Sequence, residues 1–196
     1  MAMAVAAILT AAWLSYRLLV PPPMPHTATV FSTPADLPEF SLLDQYGNAF
    51  DRAAFAGQWS LVFFGFTHCP DICPLTLQLL VSTRQQLDNA GHAPLPRIIF
   101  ISVDPERDSP DVIGQYVSYF GDEIIAITGE LDELRKLTGR LGIFFAKSPA
   151  DNDDYSVDHS SAVLVINPQG QFHALFSAPH NAGNFLHDLP IIMSNR

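Results

Sequence analysis

Cysteine and basic residues are both scarce in this chain of 196 residues. Its two cysteines, Cys69 and Cys73, are too few for a disulfide-dense secreted scaffold or for a zinc site made only of cysteines. It has 10 basic against 20 acidic residues, and the formal net charge of −10 argues against a nucleic-acid binder, which needs a basic surface. The apolar fraction of 48% and the length together predict one domain with a full hydrophobic core. Two cysteines four positions apart are therefore the feature to explain.

The N-terminal segment differs from the rest of the chain. Residues 1–20 read MAMAVAAILTAAWLSYRLLV, which is apolar enough and long enough to predict a transmembrane anchor. A secretory signal peptide and a buried N-terminal helix are the alternatives, although no convincing small-x-small cleavage site follows the apolar run. Six prolines within residues 21–38 predict a semi-rigid, extended linker. We therefore expect an anchor at 1–20, a proline-rich linker at 21–38 and a globular domain at 39–196.

From residue 39 onward, strand patterns alternate with helix patterns. Buried strands are predicted at 59–66, 97–103 and 124–128, helices at 75–87, 110–120 and 130–141, and hairpins over 39–50 and 161–176. A last helix over 181–189 is expected to end or kink at Pro190. The alternation predicts parallel strands joined by helical crossovers, and the late hairpin adds antiparallel strands. The expected fold is α/β and thioredoxin-like, with a mixed central sheet flanked by helices.

The cysteine pair lies where the first buried strand gives way to a helix. In open α/β sheets, binding and catalytic sites lie at the carboxyl ends of the strands. The positive end of the helix dipole favours thiolates, which predicts lowered pKa values for the two cysteine thiols. If the turn is helical throughout, Cys69 and Cys73 share one face and can form a disulfide or chelate one metal ion. Thiolates are soft ligands that favour Cu(I), while zinc is not excluded by ligand type. The alternative is that both cysteines are buried structural residues with neither a redox nor a metal-binding role.

A soft metal would take a third ligand, and His159 is the best placed of the seven histidines because it precedes the late hairpin. In a thioredoxin-like sheet, the loop entering that hairpin faces the N-terminus of the first helix. Three carboxylates are further functional candidates: Asp71, expected mainly to cap the helix, Asp104 at the end of the second strand, and Asp158. If its segment is extended, Asp158 points away from the face that His159 occupies. The acidic run 151–154 fails the EF-hand pattern and predicts a solvated loop.

Three segments resemble the signatures of the Sco/SenC family: GFTHCPDICP over 65–74, ISVDPERDSP over 101–110 and YSVDHSS over 155–161. The resemblance covers roughly residues 38–195 in the family's order. It implies a thioredoxin-like domain tethered to a membrane, with copper, Cu(I) or Cu(II), bound by Cys69, Cys73 and His159. It also implies a role in assembling the CuA centre of cytochrome c oxidase, either by delivering copper or by reducing the cysteines of that centre.

The resemblance further implies partners and a location. The partners would be the CuA-bearing subunit of cytochrome c oxidase and other copper chaperones or thiol reductants, with no nucleic acid. The protein would be a single-pass protein of the bacterial inner membrane whose domain faces the periplasm, and a metallochaperone rather than an enzyme.

Several other functions stay open from the residues alone. One is a metal-independent thiol–disulfide oxidoreductase with a redox-active Cys69–Cys73 disulfide, and another is a copper or redox sensor. A peroxiredoxin-like peroxidase is less well supported, because residues 65–74 contain no Arg or Lys to activate an attacking thiol.

Overall fold

The computed structural model describes Val5, Thr10, residues 23–148 and residues 155–194. The strands are β1 (Thr29–Asp36), β2 (Ser41–Asp44), β3 (Ala49–Asp51), β4 (Ser60–Gly65), β5 (Arg97–Ser102), β6 (Ile124–Thr128), β7 (Phe145–Lys147), β8 (Val157–His159), β9 (Val163–Ile166) and β10 (Gln171–Phe176). The helices are α1 (Ile72–Asn89), α2 (Pro110–Ser118), α3 (Leu131–Leu141) and α4 (Ala182–Ser194). Ser109 caps α2 as its sequence predicts, accepting a hydrogen bond from the backbone N–H of Val112.

One mixed sheet carries the fold, and its strand order is β1-β10-β9-β4-β5-β6-β2-β3. The neighbours β4, β5 and β6 are parallel, and the remaining pairs in this sheet are antiparallel. A separate antiparallel pair, β7 with β8, places Phe145 opposite His159. The predicted α/β architecture with a mixed sheet is therefore confirmed.

Two hydrophobic cores lie on the two faces of the sheet. Alternate side chains of β4 point to opposite faces, so that Leu61 and Phe63 join one core while Val62 and Phe64 join the other. Helices α1, α2 and α4 cover the first face, and α3 with the β2–β3 hairpin covers the second. Burial on both faces explains why β4 and β5 read as continuous apolar runs.

The linker predicted at 21–38 is corrected by strand β1. Residues 29–36 pair with β10 at the edge of the sheet, and the register shifts between Val30 and Ala35. An edge strand with such an irregularity accommodates Pro34, which a central strand would not. The folded region therefore begins well before residue 39, and the proline signal alone could not reveal this pairing.

Two other predictions concern the chain ends: the end of the last helix and the N-terminal anchor. The last helix continues through Pro190 to Ser194 instead of ending at residue 189, because Ile192, beyond the proline, is buried in the same core as Leu189 before it. Among the described residues, no helix is both long enough and apolar enough to cross a membrane. The predicted anchor at 1–20 lies outside the described residues except for Val5 and Thr10, and the acidic run 151–154 lies wholly outside them.

Candidate metal centre

The loop after β4 delivers both cysteines to one end of the sheet. Cys69 lies in the turn before α1 and is partly buried, whereas Cys73 lies in the first turn of α1 and is fully buried. The two residues therefore do not share a helical face, because the helix begins only at Ile72. The backbone N–H of Cys69 donates to the carbonyl of Phe66 at 3.2 Å, which turns the chain back toward the helix. Both thiols are free.

A glycine at the end of β4 makes room for the buried sulfur. A Cβ atom added to Gly65 would lie 2.7 Å from Cys73 Sγ and 2.9 Å from Phe100 Cε2. Both distances are shorter than real Cβ contacts, so any side chain at this position would displace the sulfur or the ring. Gly65 is thus a steric requirement for the position of Cys73.

His159 closes the site from the end of β8. Its Nε2 atom lies 3.4 Å from Cys73 Sγ, and its Nδ1 atom lies 3.1 Å from the carbonyl oxygen of Ser160. Donation from Nδ1–H to that carbonyl assigns the tautomer and leaves the Nε2 lone pair directed toward the sulfur. The rings of Phe63 and Phe66 pack against the imidazole in T-shaped arrangements.

The three predicted ligands meet at one point. Ligand atoms of Cys69, Cys73 and His159 all lie within 4.8 Å of one another, although 86 positions separate Cys73 from His159. Two thiols and one imidazole form a soft donor set of the kind that suits copper. The structure thus brings together the three residues that the sequence names as candidate ligands.

Burial dominates the protonation of the site. Desolvation raises the pKa of the Cys73 thiol well above its usual range, and outweighs the hydrogen bond from the backbone near Phe66 that lowers this pKa. The expectation that the helix N-terminus would lower the cysteine pKa is therefore wrong for Cys73. Desolvation also lowers the pKa of His159, so that its imidazole is neutral at neutral pH, which is the form that binds metals.

The three candidate carboxylates lie in different environments. Asp71 stands at the N-cap position of α1, yet its side chain makes no capping hydrogen bond, so that part of the prediction is wrong. Asp158 is exposed on β8 and accepts a hydrogen bond from Ser148 Oγ at 3.0 Å, pointing away from the site as predicted. Asp104 is buried and accepts hydrogen bonds from Arg107 and Tyr155. Sequence reasoning missed Asp108, a fully buried carboxylate in the same signature segment.

A second cluster of possible ligands serves a different purpose. Ligand atoms of His26, His187 and Asp188 also lie within 4.8 Å of one another. Both oxygens of the buried Asp188 are already occupied, since they accept hydrogen bonds from His187 Nδ1 and from the backbone N–H groups of residues 26–28 at 2.7–2.9 Å. Asp188 therefore fastens the segment before β1 to helix α4.

Comparisons with known proteins identify the family. A model of the SCO1/SenC family matches residues 32–194. The chain belongs to the SCO1/SenC family. This result confirms the resemblance seen in the three signature segments, and it extends the match back into strand β1.

Members of this family are similar to the chain in sequence and in structure. The mitochondrial SCO2 homologue of Mus musculus is 39% identical over 145 residues, which cover 74% of this chain and 57% of that protein. Copper-bound ScoI of Arabidopsis thaliana superposes with a TM-score of 0.77 at 29% identity, over 83% of this chain and 100% of that chain. Copper-bound yeast Sco1 gives a TM-score of 0.72 at 33% identity, over 78% and 85% of the two chains. The chain spans little more than half the length of the mammalian SCO2 homologues that it matches.

Proposed function

We propose that this domain binds copper through Cys69, Cys73 and His159 and delivers it to the CuA site of cytochrome c oxidase. The observation that carries the proposal is the convergence of two thiols and a neutral imidazole within 4.8 Å. Further support comes from relatives: ScoI of Arabidopsis thaliana and yeast Sco1 are described with copper bound. BsSco is described as a member of the Sco family of cytochrome c oxidase assembly proteins.

The donor set suits a metal that must be held and then released. Two sulfurs and one nitrogen favour Cu(I), and binding requires that the thiols lose their protons. The two cysteines differ in burial, because Cys73 is fully buried while Cys69 is partly buried. We infer that ligand exchange with an acceptor begins at Cys69, while Cys73 and His159 keep the copper ion until the acceptor has bound it. Such a protein is a metallochaperone rather than an enzyme.

The proposal extends to the setting of the domain. Residues 1–20 are proposed as a single-pass anchor in a bacterial inner membrane, with the domain in the periplasm and the prolines of residues 21–25 as a short tether. The partners would be the CuA-bearing subunit of the oxidase and the copper donors or thiol reductants that serve it. Labelling of an introduced cysteine at residue 24 in intact cells, with a reagent that cannot cross the membrane, tests this topology. Protection of that cysteine would contradict it.

Transfer to an acceptor is the test of the function. The full chain, loaded with Cu(I), is mixed with a CuA-bearing domain that lacks copper and has reduced cysteines. We expect copper to leave this chain and the CuA spectrum to develop after oxidation. A chain that keeps its copper while the acceptor stays empty would refute delivery.

The same mixture also tests the alternative thiol–disulfide activity. In that reaction, without copper, the two thiols of Cys69 and Cys73 would lose two electrons and two protons and form a disulfide. The disulfide of an oxidised CuA domain would accept them and become two thiols. Thiol counting on both proteins after mixing the copper-free chain with the oxidised acceptor measures this exchange directly. Exchange without copper transfer would replace delivery as the function.

A further inference from the structure

The turn formed by residues 104–108 lies between the two segments that carry the candidate metal ligands. We propose that Asp104, Arg107 and Asp108 position the loop between β4 and α1, which leads to the cysteines, relative to β8, which carries His159. We call that loop the cysteine loop, β8 the histidine strand, and the three positioning residues the 104–108 clamp. The inference rests on the proposed metal centre, because it concerns how the ligands of that centre are positioned. The three residues are positioning residues, since the ligand set itself is Cys69, Cys73 and His159.

The first arm of the 104–108 clamp is the carboxylate of Asp108. It is fully buried and accepts hydrogen bonds from the backbone N–H of Thr67 at 3.0 Å, from Thr67 Oγ1 at 2.5 Å and from Ser102 Oγ at 2.5 Å. Thr67 stands two positions before Cys69, in the turn that leads from β4 to the cysteines. Asp108 therefore fixes the course of the loop immediately before the first sulfur.

The second arm is Arg107 together with Asp104. The Nε–H of Arg107 donates to Asp104 at 2.5 Å, and its Nη1–H donates to the carbonyl of Tyr155 at 2.9 Å. The guanidinium also stacks on the Tyr155 ring at 3.7 Å, and the Tyr155 hydroxyl donates to Asp104 at 2.6 Å. Tyr155 begins the segment that leads into β8 and His159. This arm therefore fixes the start of the histidine strand.

Both arms belong to one short turn that is itself closed by hydrogen bonds. The backbone N–H groups of Arg107 and Asp108 donate to the carbonyl of Asp104 at 3.2 and 3.0 Å. A displacement of one ligand segment is therefore transmitted through this turn to the other. The ring of Phe66 lies in the same region, 5.8 Å from the Arg107 guanidinium and 5.8 Å from the imidazole of His159.

Stability alone is a weak reason for such a network. Burying carboxylates is costly, and buried ion pairs are often no more stabilising than apolar side chains of similar volume. Directional hydrogen bonds do, however, specify the relative position of two loops more narrowly than apolar packing does. The geometry of the metal site, rather than the free energy of unfolding, is where we expect the 104–108 clamp to act.

The test compares substitutions in each arm with matched controls in the full chain. Arg107→Met removes the second arm, and Arg52→Met is its control, because Arg52 pairs with Glu39 on the surface instead of with a ligand segment. Thr67→Val removes the hydroxyl that donates to Asp108, while Thr67→Ser retains it. The readouts are the affinity for Cu(I), measured by chelator competition, and the sulfur-to-Cu(II) charge-transfer spectrum after oxidation.

We expect Arg107→Met and Thr67→Val to bind one copper ion with affinity lowered about tenfold and with a shifted charge-transfer band. Arg52→Met and Thr67→Ser should match the unmodified chain. If Arg107→Met does not fold, the Thr67 pair decides the outcome. Unchanged affinity and spectrum in Thr67→Val, or in a folded Arg107→Met, would overturn the clamp even if the unfolding temperature falls. Failure of the proposed metal centre looks different: the unmodified chain would then bind no copper, or His159→Ala would leave its spectrum unchanged.

Discussion

Substitution of Gly65, which packs against the buried sulfur of Cys73, tests the packing of the site, and the structure sets the size of the expected loss in free energy of unfolding. In a Gly65→Ala variant, the new Cβ would lie 2.7 Å from Cys73 Sγ, whereas ordinary contacts begin at 3.4 Å. The sulfur or the strand must therefore shift by about 0.7 Å. The new Cβ would also lie 2.9 Å from the Phe100 ring, and this ring has little room to move because Phe100 is itself fully buried. Overpacking of this kind costs about 1–3 kcal/mol in free energy of unfolding.

Two measurements read out the effect of Gly65→Ala. Denaturant unfolding of the copper-free chain should show a loss within that range. Chelator competition should show weaker Cu(I) binding, because the displaced sulfur no longer meets the imidazole of His159. Gly139→Ala is the matched control, since among the described residues nothing lies within 4 Å of its added Cβ, and alanine is the better helix former. We expect that control to bind copper normally and to be as stable as the unmodified chain or more stable.

The reasoning would be refuted by a Gly65→Ala variant that is as stable as the unmodified chain and binds copper equally well. Such a result would mean that Cys73 does not pack against β4 as described. A loss of stability with unchanged copper affinity would refute only the link between the position of this sulfur and metal binding.

Three further predictions follow from the site and its surroundings. Desolvation alone would raise the pKa of Asp188, but hydrogen bonds from His187 and from the N–H groups of residues 26–28 outweigh it and hold this pKa well below its usual range. The ionised carboxylate therefore stabilises the fold above about pH 4, and this contribution is lost as the pH falls toward the lowered pKa. Asp188→Asn should therefore cost about 2 kcal/mol at pH 7 in denaturant unfolding and flatten the acid limb of the stability profile; an unchanged profile would exclude Asp188 as the anchor of the N-terminal segment. Asp71→Ala and Asp158→Asn should each leave the copper spectrum unchanged, because both carboxylates are exposed and neither belongs to the cluster of candidate ligand atoms, and a shifted band in either variant would contradict these assignments. Cu(I) affinity should fall as the pH is lowered, because protons compete for the thiols and the imidazole; a chelator competition series from pH 8 to about pH 5 that shows constant affinity would argue against thiolate ligation.

Much of the fold was predictable because the local signals agree with the tertiary structure. The apolar runs that became β4, β5 and β6 are continuous since both of their faces are buried, and the order of strands and helices fixed the parallel crossovers. Strand β1 escaped prediction because its pairing with β10 joins residues far apart in the sequence, while Pro34 signals an extended linker. Helix α4 continues past Pro190 because tertiary burial of Ile192 outweighs the local preference.

The residues that come together at the candidate site could be predicted from the sequence, but their environment could not. The spacing of Cys69 and Cys73 and the position of His159 can be read from the sequence. Desolvation of Cys73 depends on which side chains surround it in three dimensions, so the direction of its pKa shift was predicted wrongly from the helix N-terminus alone. The role of Asp108 could not be read either, since its partners Thr67 and Ser102 come from other elements. The ISVDPERDSP segment was the one signal that could have drawn attention to it.

The central claim is that copper is bound by two sulfurs and one imidazole nitrogen, and X-ray absorption at the copper edge tests it most directly. For the full chain loaded with one Cu(I), we predict a coordination shell of two sulfur atoms and one imidazole nitrogen. The nitrogen contribution should disappear in His159→Ala, and one sulfur should disappear in Cys73→Ala. A shell without an imidazole in the unmodified chain, or one that His159→Ala leaves unchanged, would contradict the account.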